Sequence, residues 1–196
     1  MLDQLEAYRE LLVTYHKTLD LMSDRALASL GTKLLEAQVY PEFVAPRLSP
    51  ADSILDLGSG AGLPGIPLAM AFPDHKVTLV ERRQRRGRFL QIVVSQLRLK
   101  NVDVVIGDVR GFRAEPYRWI TAQAVGAFPL LYCLTRHLHA PTVSILARRS
   151  ELSPVEQETL ERVSGPLESL ESIPLPTHGK LIGVQLQGGQ PCPSSG

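Results

Sequence analysis

The chain has 196 residues, 44% of them hydrophobic and 21% charged, with a formal net charge of +1; this suits one globular domain and excludes a chain disordered throughout. No apolar run approaches the ~18–20 residues of a bilayer span, and the acid-containing first ten residues hold no apolar signal segment. Two cysteines, Cys133 and Cys192, imply neither a disulfide framework nor a metal site, so a metal-free protein of the reducing cytoplasm is expected.

Leu5, Tyr8, Leu12, Tyr15 and Leu19 recur at helical spacing, which predicts an amphipathic helix over residues 3–21. A second helix is expected over 24–40, capped by Ser23 or Asp24 and stopped by Pro41. Residues 1–48 would then form a helical cap. The pattern changes near residue 50. A strand over 53–57 leads through glycines to a helix over 64–72, with Pro64 in its first turn. A strand over 76–80 ends at Glu81, a helix follows over 84–98, and a strand over 102–106. Next come a strand over 119–124, a helix over 128–138, a strand over 142–147 and a helix near 153–163. Apolar runs near 170–175 and 181–186 suit an antiparallel edge pair. Strands alternating with helices predict an α/β domain over 49–187, with a mainly parallel sheet covered on both faces. The tail over 188–196 is expected to be disordered.

The glycine-rich turn carries the chemistry. Asp56-Leu57-Gly58-Ser59-Gly60-Ala61-Gly62-Leu63-Pro64-Gly65 follows a strand and opens a helix. An ordinary tight turn would need one or two glycines, whereas here backbone must approach a ligand closely. The helix N-terminus is expected to offer free N–H groups to an anion such as a ligand carboxylate. Gly60-x-Gly62-x-x-Gly65 also matches the dinucleotide fingerprint. Asp56 weighs against NAD, because it would repel a pyrophosphate and attract a ligand with ammonium and sulfonium groups. Pro64 and Pro67 further remove amide donors. S-adenosylmethionine fits better, with Glu81 placed for the ribose hydroxyls and Asp108 near the adenine.

Charge is uneven along the chain: residues 81–118 hold ten basic and four acidic residues, a balance of +6. Arg82, Arg83, Arg85, Arg86 and Arg88 open a helix, where cations are disfavoured by roughly 0.3–1 kcal/mol each. A surface facing RNA phosphates explains them better than helix stability does. Arg110, Arg113, Arg118, Arg136, Arg148 and Arg149 extend that surface, and His137 and His139 would add to it.

The stretch from Asp56 to Ala69, with Arg85-Arg86-x-Arg88-Phe89-Leu90 and Leu97-x-Leu99-Lys100-Asn101-Val102, resembles the RsmG (GidB-like) family of small-subunit ribosomal RNA methyltransferases. The resemblance implies a class I methyltransferase fold with a seven-stranded Rossmann-like sheet. It implies S-adenosylmethionine as donor and N7 of a guanine in 16S rRNA as acceptor. It places Gly58, Leu63, Val109, Arg110 and Gln123 along the donor site, and makes 16S rRNA or the small ribosomal subunit the partner of a monomer. Guanine N7 carries a free lone pair, so no general base is needed. Arg148 at a strand end is the residue expected to hold the guanine or its phosphate, with Arg110 or Arg149 beside it. Two alternatives stay open: a methyltransferase acting on a small molecule, and a non-catalytic relative that binds the donor or RNA.

Overall fold

The computed structural model describes residues 2–123 and 125–188, and its framework is a seven-stranded sheet. Five strands run parallel: β1 (Ile54–Leu57), β2 (Val77–Glu81), β3 (Val102–Ile106), β4 (Tyr117–Ala122) and β5 (His139–Arg149). β6 (Ser169–Pro174) pairs antiparallel with β7 (Lys180–Gln187), and β7 pairs antiparallel with β5, giving the order β3-β2-β1-β4-β5-β7-β6. This is the α/β class expected. Every residue of β1 and β2 is buried, as befits central parallel strands with helices on both faces. Strand order reverses between β1 and β4, which opens a crevice at their carboxyl ends.

Among the described residues seven α-helices accompany the sheet: α1 (Leu2–Tyr15), α2 (Asp24–Ala28), α3 (Leu30–Val44), α4 (Gly65–Ala71), α5 (Gln84–Gln96), α6 (Phe128–Thr135) and α7 (Pro154–Ser164). Alternation along each strand sends side chains to two cores. On one face Ile54, Leu79 and Trp119 pack with Ile66 and Leu68 of α4, Phe89 of α5, and Tyr8, Leu34 and Phe43 of the first helices. On the other, Leu55, Leu57, Val80, Ile120 and Ile145 pack with Phe128 and Leu131 of α6 and Leu160 of α7. The first three helices therefore share the core of the sheet. None of the helices is long and apolar enough to cross a membrane among the described residues.

Local signals misplace several boundaries. The helix expected over 3–21 stops at Tyr15, and the chain turns through Asp20, whose φ of 52° is left-handed. Ser23 caps α2, accepting from the Ala26 N–H at 3.2 Å, but Ser29 then breaks the predicted second helix in two. Pro41 does not stop α3. An interior proline costs a helix roughly 3 kcal/mol; here buried Tyr40, Phe43 and Val44 hold the turn on past it. β4 starts at Tyr117, two residues before the expected 119. The predicted strand ends at Ala124, which lies outside the described residues. β5 reaches from His139, which pairs with Tyr117 of β4, to Arg149, which pairs with Lys180 of β7. Gly188, assigned to the tail, donates its N–H to the Pro141 carbonyl at 2.9 Å. The remainder of that tail, 189–196 with Cys192, lies outside the described residues.

Candidate functional site

The turn from β1 into α4 takes its shape from three left-handed glycines, with φ of 69° at Gly58, 57° at Gly60 and 96° at Gly62. It is stitched to β2: Gly58 and Ser59 donate their N–H groups to the Val80 carbonyl at 2.8 and 3.1 Å, and Gly60 donates to Glu81 Oε2 at 2.8 Å. Gly62 donates to the Ser59 carbonyl at 2.7 Å. These four N–H groups are thus already used within the protein, so the free-amide cradle expected from the sequence does not form there. α4 is also only seven residues long, and Tyr8 reaches over from α1 to donate to the Ala61 carbonyl at 2.6 Å.

Asp56 does not edge the hollow. It follows Ile54 on the α3–α4 face of β1, while Leu57 points to the opposite face. Its Oδ1 accepts from Thr121 Oγ1 at 2.8 Å, and Oδ2 lies buried without a partner in hydrogen-bonding geometry. Burial raises its pKa from 3.8 to about 6, against hydrogen bonding from Thr121, Ser59 and the Gly65 backbone. This carboxyl stands behind the turn, so Asp56 would not repel a pyrophosphate in the hollow as expected from the sequence. Gly62 and Leu63 also belong to the interior. A methyl group built on Gly62 would lie 2.7 Å from Ile66 and 2.9 Å from Tyr8 Oη, and Leu63 joins the first core.

A cavity of about 390 Å³ opens at the carboxyl ends of β1, β2 and β3. Its apolar wall is Leu57, Val80, Val109, Val125 and Leu134. Its polar wall is Gly58, Glu81, Asp108 and Arg110, with Arg82, Arg83 and Arg86. Of the residues expected at a donor, Gly58, Glu81, Asp108, Val109 and Arg110 meet here; Asp56, Gly60, Gly62, Leu63 and Gln123 are not on its wall. Glu81 is buried and accepts from the Gly60 N–H and from the Arg83 N–H, the latter at 2.7 Å. A carboxylate offers about four acceptor sites, which leaves room for hydroxyl donors. Asp108 caps the turn after β3 and receives Arg110 through Nε at 3.0 Å and Nη2 at 2.6 Å. That contact holds the Asp108 carboxyl well below the usual range.

The arginine run divides. Arg82, Arg83 and Arg86 turn into the cavity wall, whereas Arg85 and Arg88 are exposed on α5. Among the described ion pairs, none of these five meets a carboxylate. Arg86 instead donates Nε to the Asp20 carbonyl at 3.0 Å. Arg148 stands on the α3 face of β5, away from the cavity, with Nη2 3.1 Å from Glu36. Thr177 also hydrogen-bonds that Glu36 carboxylate, while Arg148 Nε is buried without a partner. Arg149 takes the opposite face, bound to the Gly126 carbonyl and lying over the Phe128 ring at 5.5 Å. His139 does not join a basic surface: burial lowers its pKa to about 4, and it pairs with Thr135 at 2.9 Å.

Sequence reasoning missed Leu134, Tyr8, Glu36 and the Asp20 carbonyl. Tyr8, the Asp20 carbonyl and Glu36 act on residues 53, 66 and 112 positions away, so no local pattern marks them, and Leu134 reads in the sequence only as one apolar residue of a helix. Leu57 and Val80 were readable as neighbours of Gly58 and Glu81 at the strand ends.

The family model described as GidB, rRNA small subunit methyltransferase G, matches residues 1–172. The ribosomal RNA small subunit methyltransferase G of Ectopseudomonas mendocina is 36% identical over 149 residues, 75% of this chain and 68% of that protein. The protein of the same name from Halorhodospira halophila is 30% identical over 175 residues, 89% of this chain and 81% of that protein. Among solved structures, M. jannaschii TYW2 in complex with AdoMet superposes with a TM-score of 0.62 at 15% identity, covering 78% of this chain and 76% of that one. A SAM-dependent methyltransferase from Aquifex aeolicus gives 0.56 at 16% identity, covering 84% and 98%. These two show a shared fold.

Proposed function

The chain belongs to the family of rRNA small subunit methyltransferase G, and on that footing we propose that it methylates N7 of a guanine in 16S ribosomal RNA, using S-adenosylmethionine. The observation that carries the donor assignment is the cavity at the switch point, which sets an apolar wall beside a buried carboxylate with acceptor sites to spare. The donor brings an electrophilic methyl group on a sulfonium. Glu81 would receive its ribose hydroxyls, and Val80, Val109 and Leu134 would enclose the adenine. Asp108 and Arg110 fix the rim of that slot. Catalysis is then mostly positioning, because the accepting nitrogen needs no base.

The acceptor side is proposed at the ends of β4 and β5, where Gln123, Arg148 and Arg149 stand. Arg148 keeps 30% of its side chain exposed, which supports a hold on the guanine or its phosphate. Arg82, Arg83, Arg85 and Arg88 would grip the RNA backbone, whose target base must be presented unpaired. We place this activity in the cytoplasm, in a monomer.

Labelled donor incubated with unmodified 30S subunits is expected to place label on 16S rRNA, and Arg148→Ala to cut transfer while donor binding persists. Label on small molecules alone would favour a small-molecule enzyme, and donor binding without transfer a non-catalytic relative. Equal loss of transfer and donor binding in the variant would refute the assignment of Arg148.

A further inference from the structure

A donor such as S-adenosylmethionine ends in a carboxylate, and four amides of the glycine turn that could receive that anion are already taken. Gly58, Ser59, Gly60 and Gly62 each donate within the protein. We propose that the Arg86 guanidinium is the donor's carboxylate clamp, and that the same side chain fastens the turn between α1 and α2 over the filled cavity. The proposal rests on the donor assignment above and deepens it.

Three observations place Arg86 in that role. It lines the cavity from the first turn of α5. Its Nη1 stands beside the glycine turn, 3.9 Å from the position a methyl group on Gly60 would take. Its Nε is already anchored on the Asp20 carbonyl, and no carboxylate neutralises it among the described ion pairs. Arg82 and Arg83 also line the cavity but are exposed, whereas Arg86 is half-buried and fixed in direction. A guanidinium held by one nitrogen presents the others in a fixed fork, which suits a carboxylate. Asp20 adopts its left-handed φ of 52° where its carbonyl accepts from Arg86, so the anchor lies on a turn with a defined shape. A ligand that immobilises the guanidinium thereby steadies the first helices. By the same linkage, loosening that turn weakens the ligand.

The test is calorimetry with two ligands on two proteins. S-adenosylhomocysteine and its decarboxylated analogue share every group except the carboxylate. In the unmodified chain the analogue is expected to bind about 10- to 100-fold more weakly. In Arg86→Gln the two ligands are expected to bind alike, because the variant has already lost that interaction, and Arg86→Lys should recover part of the difference. Hydrogen exchange supplies a second readout: S-adenosylhomocysteine should slow exchange at the Asp20 and Leu21 amides in the unmodified chain and not in Arg86→Gln. A ligand difference that survives intact in Arg86→Gln overturns the proposal, as does an unmodified chain that binds both ligands equally. The latter result needs no variant to fold. If the unmodified chain binds neither ligand, the donor assignment itself fails, which is a separate outcome.

Discussion

At the scale of single residues, two buried titratable groups oppose each other. Asp56 has a folded-state pKa raised to about 6, so its protonated form favours folding and that advantage disappears as pH rises from 3.8 towards 6. His139 has a folded-state pKa lowered to about 4, so its contribution is complete above 6.5 and is lost as pH falls towards 4. The two effects overlap in one window with opposite sign. Asp56→Asn keeps the acceptor for Thr121 and removes the charge. Its stability relative to the unmodified chain should rise by up to about 3 kcal/mol between pH 4 and pH 7. Urea unfolding across that range checks this, and a difference independent of pH would mean that the carboxyl is not buried as described. The role of Asp56 was hidden in the sequence for a physical reason. Every residue of β1 is buried, so hydrophobic periodicity gives no indication of which face the acid takes.

At the scale of elements, the β1–α4 turn is a packing device as much as a ligand site. A methyl group on Gly65 would lie 2.3 Å from Leu79 Cδ2 and 2.6 Å from Asp56 Oδ2, so strand and helix meet with no space for a side chain. Gly65→Ala should destabilise the fold by about 1–3 kcal/mol or more, measured by denaturant unfolding; a neutral effect would show that α4 can shift outward. Strands rich in valine and other β-formers, such as β2 and β3, were legible within a residue of their ends, and so was the glycine turn. The split at Ser29 and the continuation through Pro41 were not, because they depend on what Tyr40 and Phe43 pack against. The site was legible only in part for the same reason. Glu81 and Asp108 stand at strand ends and can be read from order alone, whereas the inward turn of Arg86 follows from a carbonyl 66 residues away.

At the scale of the whole molecule, charge and topology are unevenly laid out. The exposed arginines Arg82, Arg83, Arg85 and Arg88 come from one helix start, and each phosphate contact with single-stranded RNA adds about 0.7 to the salt slope. Replacing Arg85 and Arg88 together by glutamine should lower the magnitude of that slope by about 1–2 in RNA-binding titrations and leave donor binding unaltered. An unchanged slope would put the RNA elsewhere. The sheet order has a consequence for synthesis. The walls of the cavity come from residues 57–134, but β7, drawn from 180–187, is wedged between β5 and β6. A growing polypeptide therefore completes its pocket well before its sheet, and until the last strand emerges β5 presents a naked border to whatever neighbouring chain is near.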